Sequence, residues 1–543
     1  MSTMFFSPRS FVIFLAFGCL VLFLGGCTNP GTSPLIPEGM HAPALSDQAE
    51  ANFAYLRYLH LSGEKALQAL NTAIELDPSQ ELFLEKIRFL WRQKAYAQAE
   101  EAARQGLALY PENDSLNMAL LRTLWAQGKK DDALQVVHSL LRSHPQDVDL
   151  RSRMARLVLR EGYPSQALDI LQAIPDRSRT AKTYYSMAQA QAAMGNREQS
   201  IQLLQRATRI NPNLHKAWVE LAYQYEQNRD FVAAREAYSQ VLNSGRATQD
   251  ILLRLMEMDL TLNDPASALD VLRSHGRNLD FFLSGISLLV QNGFYAPAGQ
   301  ALQGAPREVA NSPRGLFYQA ILSWEQNQDL MHTLSLLDQI PRDSQVSSRA
   351  QALRCQVLWQ AERIQDALEA ARQGQSLFPE QAVFYTMQSR IYQDLGQTEA
   401  ARKSLQTGLL HLPKNTELLF QLGVMDYEQD QFQEAISSMQ TIISQDPDHA
   451  QALNFLGYTL VEMKQDLDRA KILIKKALSL EPDNGYFLDS LAWYHYTIGH
   501  HEQAWQTIRD AVAQSDDDPV IWEHYGDIAQ ALHKTEEAVK AYQ

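Results

Sequence analysis

Cysteine is nearly missing from this chain of 543 residues, where it occurs only as Cys19, Cys27 and Cys355. No disulfide framework can hold so large a molecule together, so its stability has to come from packing. Glycine is sparse at 25 residues, and runs of β-branched residues are rare. With Leu, Ala and Gln abundant, that composition favours helices over sheets. Positive charge is in deficit, with 48 Lys and Arg against 63 Asp and Glu and a formal net charge of −15. A phosphate-backbone partner needs clustered Lys and Arg, so nucleic acid is not an expected partner, and the acidic surplus reads as a solubility device. Catalytic motifs are missing as well: there is no phosphate-binding Gly-Lys-Ser/Thr loop, no His-Glu-x-x-His helix and no nucleophile elbow. Neither an enzymatic activity nor a cofactor is expected. Of the three cysteines, Cys355 falls within a helical repeat with no base readable near it, which fits a small buried hydrophobe.

The long hydrophobic run stands at the N-terminus. Arg9 precedes an apolar stretch from Phe11 to Leu24, which is of signal-peptide length and short for a membrane span. It ends in Leu24-Gly25-Gly26-Cys27. This run of small residues into a cysteine resembles the lipobox of bacterial lipoproteins. The resemblance implies a signal peptide over 1–26, cleavage before Cys27, a diacylglyceryl thioether on its sulfur, and acylation of the new amino group with a fatty acid such as palmitate. Two or more acyl chains anchor a protein where one holds only marginally. The alternatives are an ordinary secretory signal or an uncleaved anchor with Cys27 incidental. Thr28, rather than aspartate, follows Cys27, a pattern that resembles outer-membrane sorting. Residues 27–46 carry Pro30, Pro34, Pro37 and Pro43 and read as a semi-extended tether.

What the chain has in abundance is periodicity. Pro379, Pro413 and Pro447 stand 34 residues apart and Pro482 follows one residue late, each closing an apolar helix end. Residues 215–248 place Trp218, Leu221, Ala222 and Tyr225 at positions 4, 7, 8 and 11, then Ala234 and Tyr238 at positions 20 and 24. This pattern resembles the tetratricopeptide repeat, and the resemblance implies an all-α fold, a right-handed superhelical solenoid of helix pairs. Small residues at positions 8 and 20 let the two helices of a pair touch, while the large ones fill the space between pairs. The register recurs at 416–449, at 450–484 with one extra residue in the turn Lys464–Leu467, at 485–518, and from Pro519. Ala66, Ala99, Ala133 and Ala167 take position 20 in earlier copies, and Gly128, Gly162, Gly195, Gly293 and Gly396 recur at the turn between helices. About fourteen or fifteen repeats fit. They divide into an N-terminal array over 47–248, a blurred stretch over 249–347, and a C-terminal array over 348–543. The blurred stretch retains Ala268 and Ala298 near position 20 and reads as degenerate repeats, or else as a hinge. The last copy stops inside its second helix at Gln543, so either the chain is truncated there or its terminal face docks on a partner or on itself.

The resemblance also implies that positions 2, 5, 9, 12 and 13 of the first helices line a concave groove. In the last full repeats these are Glu417, Phe420, Val424, Tyr427 and Glu428, then Gln451, Asn454, Tyr458, Val461 and Glu462, then Tyr486, Asp489, Trp493, Tyr496 and Thr497. Rings beside carboxylates and amides suit an extended peptide or a sugar chain, although the same rings could pack between helices. Chaperone tails, which basic and Asn groove residues bind in related domains, do not fit so acidic a face. His495, His500, His501, His524 and His533 are too loosely spaced for a metal site and are expected to be solvated or capping. The expected function is that of a lipid-anchored scaffold on the periplasmic face of the outer membrane. It would bind other envelope proteins in an assembly or export complex and reach the membrane through the Cys27 lipid. The alternative is a periplasmic polysaccharide-binding module that uses the aromatic groove.

Overall fold

The computed structural model describes residues 46–515 and 517–543; the lipobox-like run, Cys27 and almost all of the proline-rich tether lie outside them. The described residues form 31 α-helices, with no strand among them. Thirty of these are consecutive antiparallel pairs, and the remaining one is the four-residue helix Arg307–Ala310. The pairs fall into two compact units, one ending at Ile210 and the other running from Asn211 to Gln543. The division lies inside the stretch assigned to the N-terminal array. Residues 249–347 themselves contain helix pairs, such as Gln249–Thr261 with Pro265–His275 and Leu279–Gln291 with Tyr295–Gln303. The second helices there are short, and Pro265 opens one of them at its first turn rather than closing a copy.

The repeat is built from local chemistry. Each proline ends its copy because it cannot continue a helix. Two residues later an acceptor side chain caps the next helix: Asn113 Oδ1 accepts from Leu116 N at 2.9 Å, Asp147 from Leu150 N at 2.8 Å, and Asn415 from Leu418 N at 2.9 Å. His449 does the same with Nδ1, 3.2 Å from Ala452 N. The turn inside each pair needs one left-handed residue. Gly128 and Gly396 supply it at φ +72° and +67°, and Lys94, Glu362 and Asp430 adopt φ +58° at the same point. Such a residue pays about 1–2 kcal/mol where glycine pays little. The longer turn at Lys464–Leu467 uses two, Lys464 and Asp466.

Close approach fixes the pairs. Ala66, Ala99, Ala133, Ala167, Ala234, Ala435, Ala470 and Ala504 at position 20 are all fully buried. Opposite them, a Cβ on Gly457 would lie 2.6 Å from Ile474 Cγ1 and 3.1 Å from the Ala470 carbonyl oxygen. Cys355 takes the same small position in its copy, with its thiol donating to the Ala367 carbonyl at 3.3 Å. It is the buried hydrophobe that the sequence suggested. Between successive pairs, buried acids tie the stack. Asp259 lies 2.6 Å from Arg235 Nε, and Asp426 lies 2.8 Å from Arg402 Nε. In both cases an arginine on one second helix reaches the following first helix.

Candidate functional site

The face that carries the expected groove comes from four first helices of the second unit: Thr416–Glu428, Ala450–Glu462, Gly485–Thr497 and Pro519–Ala531. None of the four contains Lys or Arg, whereas they carry Glu417, Asp426, Glu428, Glu462, Asp489, Glu523 and Asp527. Successive copies of one register position lie side by side, so side chains one period apart can touch.

They do touch, as one line of rings. Phe420 meets Phe455 at 5.9 Å between centroids, Phe455 meets Tyr427 at 5.4 Å, and Tyr427 meets Tyr458 at 6.2 Å. Tyr458 lies 6.1 Å from the His524 ring, which stacks on Trp493 at 4.0 Å, and Trp493 stacks on Tyr496 at 4.8 Å. Edge-on and offset contacts at such distances are favourable beyond the area they bury. The Trp493 indole N–H donates to Glu462. Of the predicted residues, Phe420, Tyr427, Tyr458, Glu462, Trp493 and Tyr496 therefore meet in one feature. Glu428 and Tyr486 stand exposed, Tyr486 at 52%. Asn454 Oδ1 is buried and has no hydrogen-bond partner. An orphaned buried carbonyl of this kind leaves its desolvation cost uncompensated.

Three expectations are corrected. Val461 is buried, at 1% exposure, and packs in the core of the stack rather than lining the face. Asp489 is also buried, because the His524 ring closes over it with Nδ1 2.9 Å and 3.0 Å from its two oxygens. His524 is likewise not solvated but buried. Burial raises the Asp489 carboxyl and works to lower the His524 imidazole. The bond to Asp489 outweighs this and holds His524 above its ordinary range, with Glu462 and Glu523 adding to the effect. His495 is pushed down by burial and by His500, Lys471 and Lys475. Among the described residues no group of three or more His, Cys, Asp and Glu side chains is placed to hold a metal. Burial also pushes the Tyr458 phenol up, with Tyr427, Glu462 and Asp489 adding to it, so that it remains a neutral donor and acceptor.

Sequence reasoning missed Phe455 and His524. Phe455 lies one place beyond Asn454, outside the register positions assigned to the groove, yet it bridges Phe420 and Tyr427. His524 could have been found from its spacing, 35 residues after Asp489, which puts an acid and a base one repeat apart.

Tetratricopeptide-repeat sequence models match residues 90–149, 124–192 and 426–494, residues 62–114 and 185–250, and residues 382–409. Together these cover just over half of the chain. The chain belongs to the tetratricopeptide-repeat family. A TPR repeat-containing protein of Pseudomonas aeruginosa is 30% identical over 172 residues, which is 32% of this chain and 29% of that one. Human tetratricopeptide repeat protein 7A is 28% identical over 155 residues, 28% of this chain and 18% of that one. The match thus spans less than a third of the length of either relative. Among solved structures, Naa15/Naa10 bound to HypK-THB is 13% identical with a TM-score of 0.42, and the match covers 92% of this chain and 89% of that one. As in the family generally, the repeats present surfaces for protein partners. No described helix is long and apolar enough to cross a membrane.

Proposed function

We propose that this chain is a non-enzymatic, lipid-anchored periplasmic scaffold that holds protein partners in an envelope assembly or export complex. The observation that carries the reading is the unbroken line of rings from Phe420 to Tyr496, set among carboxylates on four helices without Lys or Arg. Aromatic side chains that are already ordered lose little entropy on binding, which is why docking surfaces concentrate them. Glu428 and Glu462, both exposed, supply negative charge for a basic side chain. An extended peptide segment of a partner, with apolar and basic residues, fits this chemistry. The anchor rests on the lipobox-like run into Cys27, and with it the outer-membrane location and envelope partners.

A sugar chain is the competing occupant. Trp493 is already stacked on His524 and on Tyr496, so much of the ring surface that a sugar would use is taken. Fluorescence of the wild-type chain minus that of Trp493→Phe isolates this indole. The scaffold reading expects no change on titration with envelope polysaccharide, and saturable quenching by glycan alone would overturn it. For the anchor, Cys27→Ala is expected to move the chain from the membrane to the soluble fraction at undiminished yield. Unchanged membrane association would sink the lipid reading.

A further inference from the structure

The first unit carries the opposite charge on the equivalent helices. Three successive first helices, Gln80–Arg92, Asp114–Ala126 and Val148–Arg160, line a recess of about 470 Å³. Leu84, Ile87, Met118 and Leu150 give it an apolar floor, and Arg88, Arg122 and Arg153 stand on its walls. Arg88, Arg122 and Arg156 follow the 34-residue period, so a stripe of guanidinium groups crosses the stack. Arg88 is paired with Glu85 at 3.2 Å. Arg122 and Arg153 are exposed, and among the described residues no hydrogen bond or ion pair engages either one. The acid in the recess, Asp114, lies 3.9 Å from His144 and does not neutralise them.

We propose that this recess binds an extended acidic segment of a partner protein, with apolar residues between its carboxylates. Guanidinium groups without partners, in a chain of net charge −15, are the places where a carboxylate gains most from pairing. Neighbouring first helices are spaced about 10 Å apart, and an extended polyproline-II segment advances about 3.1 Å per residue with three residues per turn, so every third side chain shares a face. A carboxylate at every third residue therefore meets the arginines in turn, and the intervening apolar side chains reach the floor. A nucleic acid or sulfated glycan would leave that apolar floor unused. The site is separate from the aromatic face and does not depend on an envelope location.

The test is fluorescence anisotropy of the full chain in detergent with a labelled twelve-residue peptide carrying Glu at every third position and Leu and Ala between. Saturable binding is expected at low salt, weakening as salt rises. The double variant Arg122→Glu/Arg153→Glu should lose at least about tenfold in affinity, whereas Lys403→Glu on a second helix of the other unit should lose none. Both arginines are exposed and unpaired, so the variants should fold; Arg122→Gln/Arg153→Gln, with a smaller loss, is the milder check. Wild-type affinity in the charge-reversed variant overturns the proposal. So does equal binding of the peptide with Gln in place of Glu, or displacement of the peptide by a heparin fragment at lower concentration than by unlabelled peptide.

Discussion

His524 Nδ1 faces both carboxylate oxygens of Asp489 across one repeat, at 2.9 Å and 3.0 Å, and both side chains are buried. Two groups that hydrogen-bond out of water are worth little when intact and cost much when one partner is removed. The pair also makes local stability depend on pH. Both folded pKa values lie above the ordinary ones, so both groups bind a proton more readily in the folded state. The contribution of His524 is fully present below the free imidazole value of about 6.5 and is lost as pH rises through its higher folded value. Asp489 adds a loss of the same sign, beginning at lower pH. Amide protection in Gly485–Thr497 and Pro519–Ala531 is expected to fall as pH rises past neutrality. Asp489→Asn should abolish the slope above pH 6, because burial then lowers the imidazole against only the smaller effects of Glu462 and Glu523; an unchanged slope would show that another group titrates.

Gly457 is required by contact rather than by backbone conformation. Alanine there forces Ile474 or the Ala470 carbonyl to move, a strain of about 1–3 kcal/mol. In a repeat array the loss stays near its source. Gly457→Ala should speed exchange in Ala450–Glu462 and Leu467–Leu480 and leave Asp47–His60 unaffected. Uniform change or none would contradict the packing described here.

Burial pushes the Cys355 thiol up to about 12, and the thiolate is the nucleophile. Alkylation by iodoacetamide at pH 8, followed by mass mapping of the Cys355 peptide, should find it unmodified in the folded chain and modified in urea.

Glu100 accepts hydrogen bonds from Lys129 at 2.6 Å, from Gln127 at 2.9 Å and from Arg104 at 3.0 Å. The Lys129 bond is the largest cause of a carboxyl pKa lowered to about 2, against the opposing effect of burial. A lowered acid stabilises above its unfolded value, about 4.3, and the contribution is lost as pH falls towards 2. Glu100→Gln should weaken Tyr96–Leu109 by about 2 kcal/mol at pH 7 and flatten that acid limb in local exchange.

Much of the architecture is legible in the sequence because it depends on local rules and on close contacts. A proline ends a helix wherever it falls, and the alanine at position 20 is small because a neighbouring backbone leaves no room. The site is only half legible. The repeat register tells which helix face Tyr427, Asp489 and Val461 occupy, but not what the next repeat lays over them. Asp489 is buried because His524 covers it from the following helix, and Val461 because the core of the stack takes it in. The arginine stripe of the first unit was equally present in the sequence. It was masked by reading charge as a total rather than by register position.

The central claim, that the ring-bearing face of the last four repeats docks a protein, is tested most directly by photocrosslinking in intact cells. A benzoylphenylalanine placed at Tyr486, 52% exposed on that face, is compared with one at Ile472, 67% exposed on a second helix. The account predicts a discrete protein adduct from position 486 that is lost with Glu428→Lys/Glu462→Lys, and none from position 472. Equal labelling at both positions, or an adduct at 486 that only glycan-degrading enzymes remove, would contradict it.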